Sequence, residues 1–414
     1  MAYALGVALF ALAILISVSL HEAGHMATAK AFGMKVTRYF VGFGPTLWSF
    51  RRGETEYGVK AIPLGGFVKI VGMTPQDDDV DPADEPRAMW RFPLWKRTVV
   101  MSAGSATHFV LAFVALWLTL IFIGLPNPAL AHPESLPPYV QVTDCVIVPN
   151  EARDCQPGDP PGPAKQAGLR DGDKITAING VPVGTYGDLV REIRKAKPGE
   201  NEIAYERDGV AQQPLTIDLP AVQRAPVDDP DGPVSEVPAL GVAPTAPPGV
   251  PARLTYGPVD AVGAAVDQTG DMAVATVEAL KRFPAKIPRL WAALTGGERD
   301  LDTPISVVGA SRLGGEAVAN DAWGLFASLF ITLNFFVGVF NLLPLLPLDG
   351  GHIAIAWFER IRSWLYARLG RPDPGRVDYF KLMPLTYAII VVFGGFTLLT
   401  VAADIVNPVT LFGR

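Results

Sequence analysis

AYALGVALFALAILISVSLHEAGH, residues 2–25, decides how the rest of the chain is read. Ala2 to Leu20 carries no charged side chain and runs directly into His21-Glu22-Ala23-Gly24-His25. Roughly 20 apolar residues are what a helix needs to cross a bilayer. On that helix His21 and His25, four apart, share a face and can point at one ion, while Glu22 reaches a water beside it. A short His-Glu-x-x-His match alone turns up by chance. Two imidazoles and a carboxylate at the end of an apolar span are another matter, because they are costly in hydrocarbon and persist where they bind or react with something. No basic stretch precedes the run and the His-Glu motif stands where a small-residue cleavage site belongs, so it reads as a retained span and not as a signal peptide.

The composition agrees. Charged residues make up 18% of the 414 residues and the mean hydropathy is +0.26, too apolar for an ordinary soluble protein and long enough for a membrane core plus one further domain. A net charge of -6 leaves no nucleic-acid footprint. Further apolar runs occupy Thr98 to Leu125, Leu325 to Leu346 and Leu385 to Ala403. The fold class expected is therefore a polytopic α-helical membrane protein of four spans, with a membrane-associated β-hairpin on the cytoplasmic side and one extracytoplasmic α+β domain. Basic residues cluster between the first and second spans (Lys30 to Arg97) and between the third and fourth (Arg360 to Lys381). Positive-inside then puts both loops in the cytoplasm, the N-terminus and the long central region outside the plasma membrane, and the His-Glu motif toward the inner face. Cys145 and Cys155 both fall in the outside region, where a disulfide is expected and zinc ligation alongside His21 is not.

In chain order the expected parts are 1–32, the first span with the motif; 33–97, the β-region and an acidic loop; 98–125, the second span; 139–245, the outside domain with a Pro-rich loop; 246–322, juxtamembrane helices; 323–352, the third span; 353–383, a basic cytoplasmic helix; and 384–406, the fourth span. Alternating stretches punctuated by glycine, from Tyr39 to Phe50 and Glu56 to Val71, read as a small sheet whose edge can pair with an extended chain. Thr74 to Pro86, with Asp77-Asp78-Asp79, reads as a solvated acidic loop. The second span opens on Met101-Ser-Ala-Gly-Ser-Ala-Thr-His108, small residues that allow close helix approach and an intramembrane histidine that is functional or hydrogen-bonded by default. In 139–245, Gly162 to Gly180 predicts a short helix, a turn, a buried strand and a second turn, followed by a helix over Tyr186–Ala196, strands at 202–205 and 215–219, a loop over 221–238 and a final strand at 239–244. Val259 to Leu294 reads as helical with breaks at Pro284 and Pro288. The third run ends in Asn341-Leu-Leu-Pro-Leu-Leu-Pro-Leu-Asp-Gly-Gly-His352, and broken backbone at membrane depth is tolerated where it lines a cavity. Catalytic zinc takes three protein ligands and a water; Asp349, His352 and His108 are all candidates for the third.

Taken together, His21-Glu-Ala-Gly-His25, Pro63-Leu-Gly-Gly-Phe-Val-Lys69, the Gly162 to Gly180 core and Asn341 to Gly351 resemble the site-2 protease family of intramembrane zinc metalloproteases over nearly the whole chain. With Thr303 to Ser311 leading into the third span, the chain is most similar to the actinobacterial regulatory members with a single PDZ domain. The Ala167-Gly-Leu and Gly172-Asp-Lys-Ile stretches resemble a bacterial PDZ core, a fold that binds extended peptides at a sheet edge or acts as a steric plug. The resemblance implies Zn2+ held by His21, His25 and Asp349, Glu22 as general base, Asn341 holding substrate or the developing oxyanion, and Gly66-Phe67 in a β-loop beside the active site. It also implies single-pass transmembrane substrates such as anti-sigma factors, already trimmed outside by a site-1 protease. One departure stands out: many members carry Gly-Pro-x-x-Asn-Phe where this chain has Gly104-Ser-Ala-Thr-His-Phe109, so His108 either substitutes for that Asn as a hydrogen-bond donor on the substrate path or only packs. A membrane-anchored PDZ adaptor with a non-catalytic metal site is the alternative. An adaptor has no use for the water-activating carboxylate of Glu22.

Overall fold

The computed structural model describes the chain except for residues 74–79, 147–154, 157, 226–233, 298, 300–302 and 413–414, so the Asp77 to Asp79 run lies outside the described residues. The chain divides into two compact units, Met1–Ile123 with Tyr256–Leu411, and Gly124–Thr255 with Phe412–Arg414. The helices in chain order are α1 Ala2–Ala31, α2 Leu94–Phe122, α3 Pro163–Gln166, α4 Tyr186–Lys195, α5 Asp260–Leu294, α6 Val307–Ala319, α7 Trp323–Asn341, α8 Asp349–Arg368 and α9 Tyr379–Val406.

Four of these, α1, α2, α7 and α9, are long and apolar enough to cross a membrane. Gly33, at φ +82°, terminates α1 as the sequence suggests. Other boundaries move. The second helix already begins at Leu94 and stops at Phe122, before Gly124 turns the chain at φ +76°. The third ends at Asn341, so the Leu-Asp-Gly stretch is not its last turn: Pro344 and Pro347 lack the N–H that a continuing helix needs, the chain turns through 342–348, and Asp349 opens a separate helix, α8. The fourth starts at Tyr379 and carries Pro384 inside it. Where breaks were expected at Pro284 and Pro288, α5 runs unbroken over 35 residues; one or two missing backbone hydrogen bonds do not end a helix of that length.

Within the first unit α6 lies against the N-terminal half of α1. A Cβ on Gly6 would come within 2.9 Å of the Gly314 carbonyl, and one on Gly314 within 2.8 Å of the Phe10 ring. Phe10 is fully buried there. The predicted β-region is present as two bent antiparallel strands, β1 Val36–Arg52 and β2 Thr55–Ile70. Residues 38–41 pair on one side with 56–59 and on the other with 66–69, and 46–52 pairs with 55–60. Two long strands thus fold into four short rungs ordered 46–52, 55–60, 36–41, 66–70. The 66–70 rung is an outer one.

The second unit is a small α+β body. Strand 174–178 pairs with 199–207, which pairs in turn with 215–219, and strand 242–244 returns to pair with 140–142, as expected of the final strand. Alternate residues face a core of Ile175, Leu189, Ile203 and Leu219, each fully buried. Helix α4 is capped reciprocally by Thr185 and Asp188. The stretch 221–238, expected as loop, carries a hairpin of 221–224 with 235–238. Cys145 and Cys155 form the disulfide.

Candidate metal centre

Helix α1 carries His21 and His25 one turn apart, and both are buried. Their Nε2 atoms lie 3.1 Å from each other. Asp349 Oδ2 lies 3.3 Å from each of them. A tetrahedral zinc with bonds of about 2.0–2.1 Å sets its donors roughly 3.3 Å apart, the edge length of this triangle. His25 Nδ1 is 2.7 Å from the Val100 carbonyl, which accepts only, so that nitrogen carries a proton and the neutral ring presents its lone pair at Nε2. Asp349 Oδ2 is buried and makes no hydrogen bond. Lone pairs and a carboxylate oxygen turned toward one point are an arrangement that a cation resolves.

Three glycines hold this geometry. A Cβ on Gly104 of α2 would lie 2.3 Å from His25 Nε2 and 2.5 Å from His21 Nε2, so only glycine lets α2 pass behind the imidazoles. On the other side, a Cβ on Gly350 would lie 2.2 Å from the Leu342 carbonyl and one on Gly351 2.6 Å from the Leu345 backbone. Asp-Gly-Gly therefore lets α8 start flat against the 342–346 turn, and that start aims Asp349 at α1.

Of the three candidates for the third ligand, only Asp349 joins the histidines in a cluster of metal-binding type among the described residues. His352 stacks on Tyr379 at 6.0 Å, and its Nδ1 is buried without a partner. His108 is held elsewhere. Asn334 Nδ2 donates to the Phe330 carbonyl, which leaves Asn334 Oδ1 to accept from His108 Nδ1 at 2.9 Å and from Ser17 Oγ. The Nδ1–H of His108 is thus spent on Asn334, and its Nε2 is an acceptor, so the neutral ring offers no further donor to a substrate. Ser17 and Asn334 went unremarked in the sequence, although a lone Asn inside the apolar run 325–340 is the signal that finds it.

The backbone N–H of Val68 faces the Glu22 carboxylate. A Cβ on Gly66 would lie 3.4 Å from Glu22 Cγ. The 66–70 rung therefore runs alongside the carboxylate. Phe67 stacks on Phe40 at 5.6 Å, with Lys60 Nζ 4.9 Å from the Phe40 ring centre. Asn341 is the last residue of α7, and its side-chain amide is half-buried with no hydrogen-bond partner among the described residues.

A family model described as Peptidase family M50 matches residues 9–369. The chain belongs to Peptidase family M50. This peptidase is 46% identical over 421 residues to a protein named Zinc metalloprotease Rip1 of Mycolicibacterium smegmatis, with both chains covered in full. It is 43% identical over 417 residues to the protein of the same name in Mycobacterium tuberculosis, again over the whole of both. In the peptidase the metal triangle, the carboxylate of Glu22 and the glycines that make room for them all lie within the matched residues.

Proposed function

We propose that this chain cuts a peptide bond within the transmembrane segment of a single-pass membrane protein. That it is a zinc metalloprotease follows from its family and from full-length identity to proteins of that name. The observation that carries the rest is the triangle of donors from α1 and α8, buried among helices apolar enough to span a membrane, with Glu22 adjacent in sequence to the first donor.

His21, His25 and Asp349 hold the zinc, which when bound lowers the pKa of a water to about 7 and polarises a carbonyl. Glu22 takes the proton released in the attack and delivers it to the departing amine. The carboxylate lies against the 66–70 rung, next to Gly66 and the Val68 N–H. That rung pairs with no further strand among the described residues, so it is an outer edge beside which an extended substrate can lie. A helix hides its carbonyls, so the substrate unwinds where it meets the rung. Asn341, with its amide free, donates to the developing oxyanion. His108, by its tautomer, accepts at Nε2 and lines the path as an acceptor.

The basic loops support a topology with the metal centre toward the cytoplasmic side of the cell membrane and residues 139–245, read as a PDZ domain, outside. The substrates are anti-sigma factors shortened outside by a site-1 protease. A tagged single-pass anti-sigma factor, co-expressed in a site-2-protease-deficient cell with wild type, Glu22→Gln or Asp349→Ala, tests the reading. Release of the cytoplasmic fragment by wild type alone supports it; equal release with all three removes this chain as the catalyst and leaves the adaptor.

A further inference from the structure

Helix α8 is expected to be an ordinary cytoplasmic basic helix, yet it turns a row of large apolar side chains outward. Trp357, Phe358, Ile361, Trp364 and Leu365 fall on one face at helical spacing and are 47–58% exposed. Arginines flank them: Arg362 lies over Phe358 at 5.5 Å and Arg368 over Trp364 at 4.8 Å. An apolar face rich in tryptophan with arginines along its border is the pattern of a helix lying in a lipid–water interface. Trp357 Nε1 also donates to Thr98 Oγ1 in the second turn of α2, which places α8 at the level where that span begins.

Behind this face, α8 and the start of α2 enclose a cavity of about 760 Å³ lined by Trp90, Trp95, Trp357, Arg97, Arg360 and Arg376. Its acids are already engaged. Glu359 accepts from the Val377 amide and lies 3.8 Å from Arg97. Asp373 accepts from Ser363 Oγ and the Gly375 amide, donors that hold its carboxyl below the usual range. Arg360 and Arg376 have no carboxylate at ion-pair distance among the described residues, and Arg376 instead lies over the Trp90 ring at 4.6 Å. Two guanidinium groups outside any close ion pair, each able to grip a phosphate in a fork, thus face a cavity with tryptophan walls in which three arginines meet two carboxylates, at the end of a span.

We infer that α8 lies in the membrane interface and that the Arg360–Arg376 cavity binds the phosphodiester headgroup of an anionic phospholipid, a reading that rests on the helices spanning a membrane but not on catalysis. The apolar wall takes the glycerol and upper acyl chain and the guanidiniums take the phosphate. Because Asp349 is the first residue of α8, the lipid holds in place the helix that supplies the third metal ligand.

The test uses full-length protein in the Glu22→Gln background, so that loss of proteolysis does not enter. Native mass spectrometry from mixed micelles of phosphatidylglycerol and phosphatidylcholine reads lipid retention. Wild-type cavity residues retain one phosphatidylglycerol in preference to phosphatidylcholine; Arg360→Gln with Arg376→Gln lowers that retention about 30-fold, while Arg282→Gln on α5 leaves it unchanged and zinc content stays that of the parent in both. Brominated lipid quenches Trp364 fluorescence in the parent, read by comparison with Trp364→Phe. Equal retention by the double variant, equal retention of phosphatidylcholine, stripping of the lipid by inorganic phosphate, or no quenching at Trp364 overturns the inference.

Discussion

The two units sort their side chains in opposite ways. Residues 124–255 hide Ile175, Ile203 and Leu219 completely. The first unit does the reverse: α9 leaves Leu385, Val391 and Leu398 60–72% exposed while burying Thr400 and Asp404. Its interior also holds Ser17, His21, His25, His108 and Asn334, and a buried ion pair in which Asp404 accepts from Arg299, the Ser306 amide and Ser306 Oγ. Burial follows whatever solvent surrounds the fold. An apolar exterior with a hydrogen-bonded polar interior is stable against hydrocarbon, and an apolar core with a polar exterior is stable against water.

That contrast can be broken at named positions. The largest effect belongs to the polar interior of the first unit: Glu22→Gln lowers turnover by about 10²- to 10⁴-fold with zinc retained, whereas Asp349→Ala loses the zinc itself, and elemental analysis beside the cleavage assay separates the two. Ile203→Ala, in the conventional core, costs about 2–5 kcal/mol, seen as faster hydrogen exchange confined to 124–255 with zinc content unchanged. Asn334→Leu removes the acceptor that His108 Nδ1–H and Ser17 Oγ share, leaving the ring only the longer contact to Ser17 Oγ at 3.2 Å, and costs about 1–3 kcal/mol, read as a lower unfolding midpoint in lipid; no change there removes the argument for the His108 tautomer. The smallest effect is Val391→Ala, within about 0.5 kcal/mol in lipid despite deleting a large apolar side chain. A loss as large as that of Ile203→Ala would mean that α9 is covered by protein.

Much of this was legible in the sequence because the strongest signals are local. A helix puts residues four apart on one face, so the histidine pair could be read directly, and the turn residues of Gly162 to Gly180 laid out the strands and helix of the second unit. What escaped was set by contacts distant in sequence. Asp349 could be separated from His352 and His108 only by how α8 begins, which depends on Gly350 and Gly351 packing against 342–345. Gly104 gave a general signal of close helix approach; that it faces the imidazoles required the α1–α2 packing. The choice between the two readings of His108, donor or packing residue, likewise turns on Asn334, far along the chain on α7, which lies 2.9 Å from its Nδ1. Prolines read unevenly: those at 344 and 347 break the helix as expected, whereas Pro284 and Pro288 do not interrupt α5 and Pro384 sits inside α9.

The three candidate metal donors come from distant parts of the chain, two from α1 and one from α8. An ion there acts as a cross-link that closes one very long loop, and the entropy of closing a loop grows with its length only as a logarithm. Metal binding and the docking of α8 on α1 are then a single equilibrium: stripping the ion frees a clasp between the first helix of the chain and the next-to-last, and whatever loosens α8 weakens the grip on the ion by the same free energy.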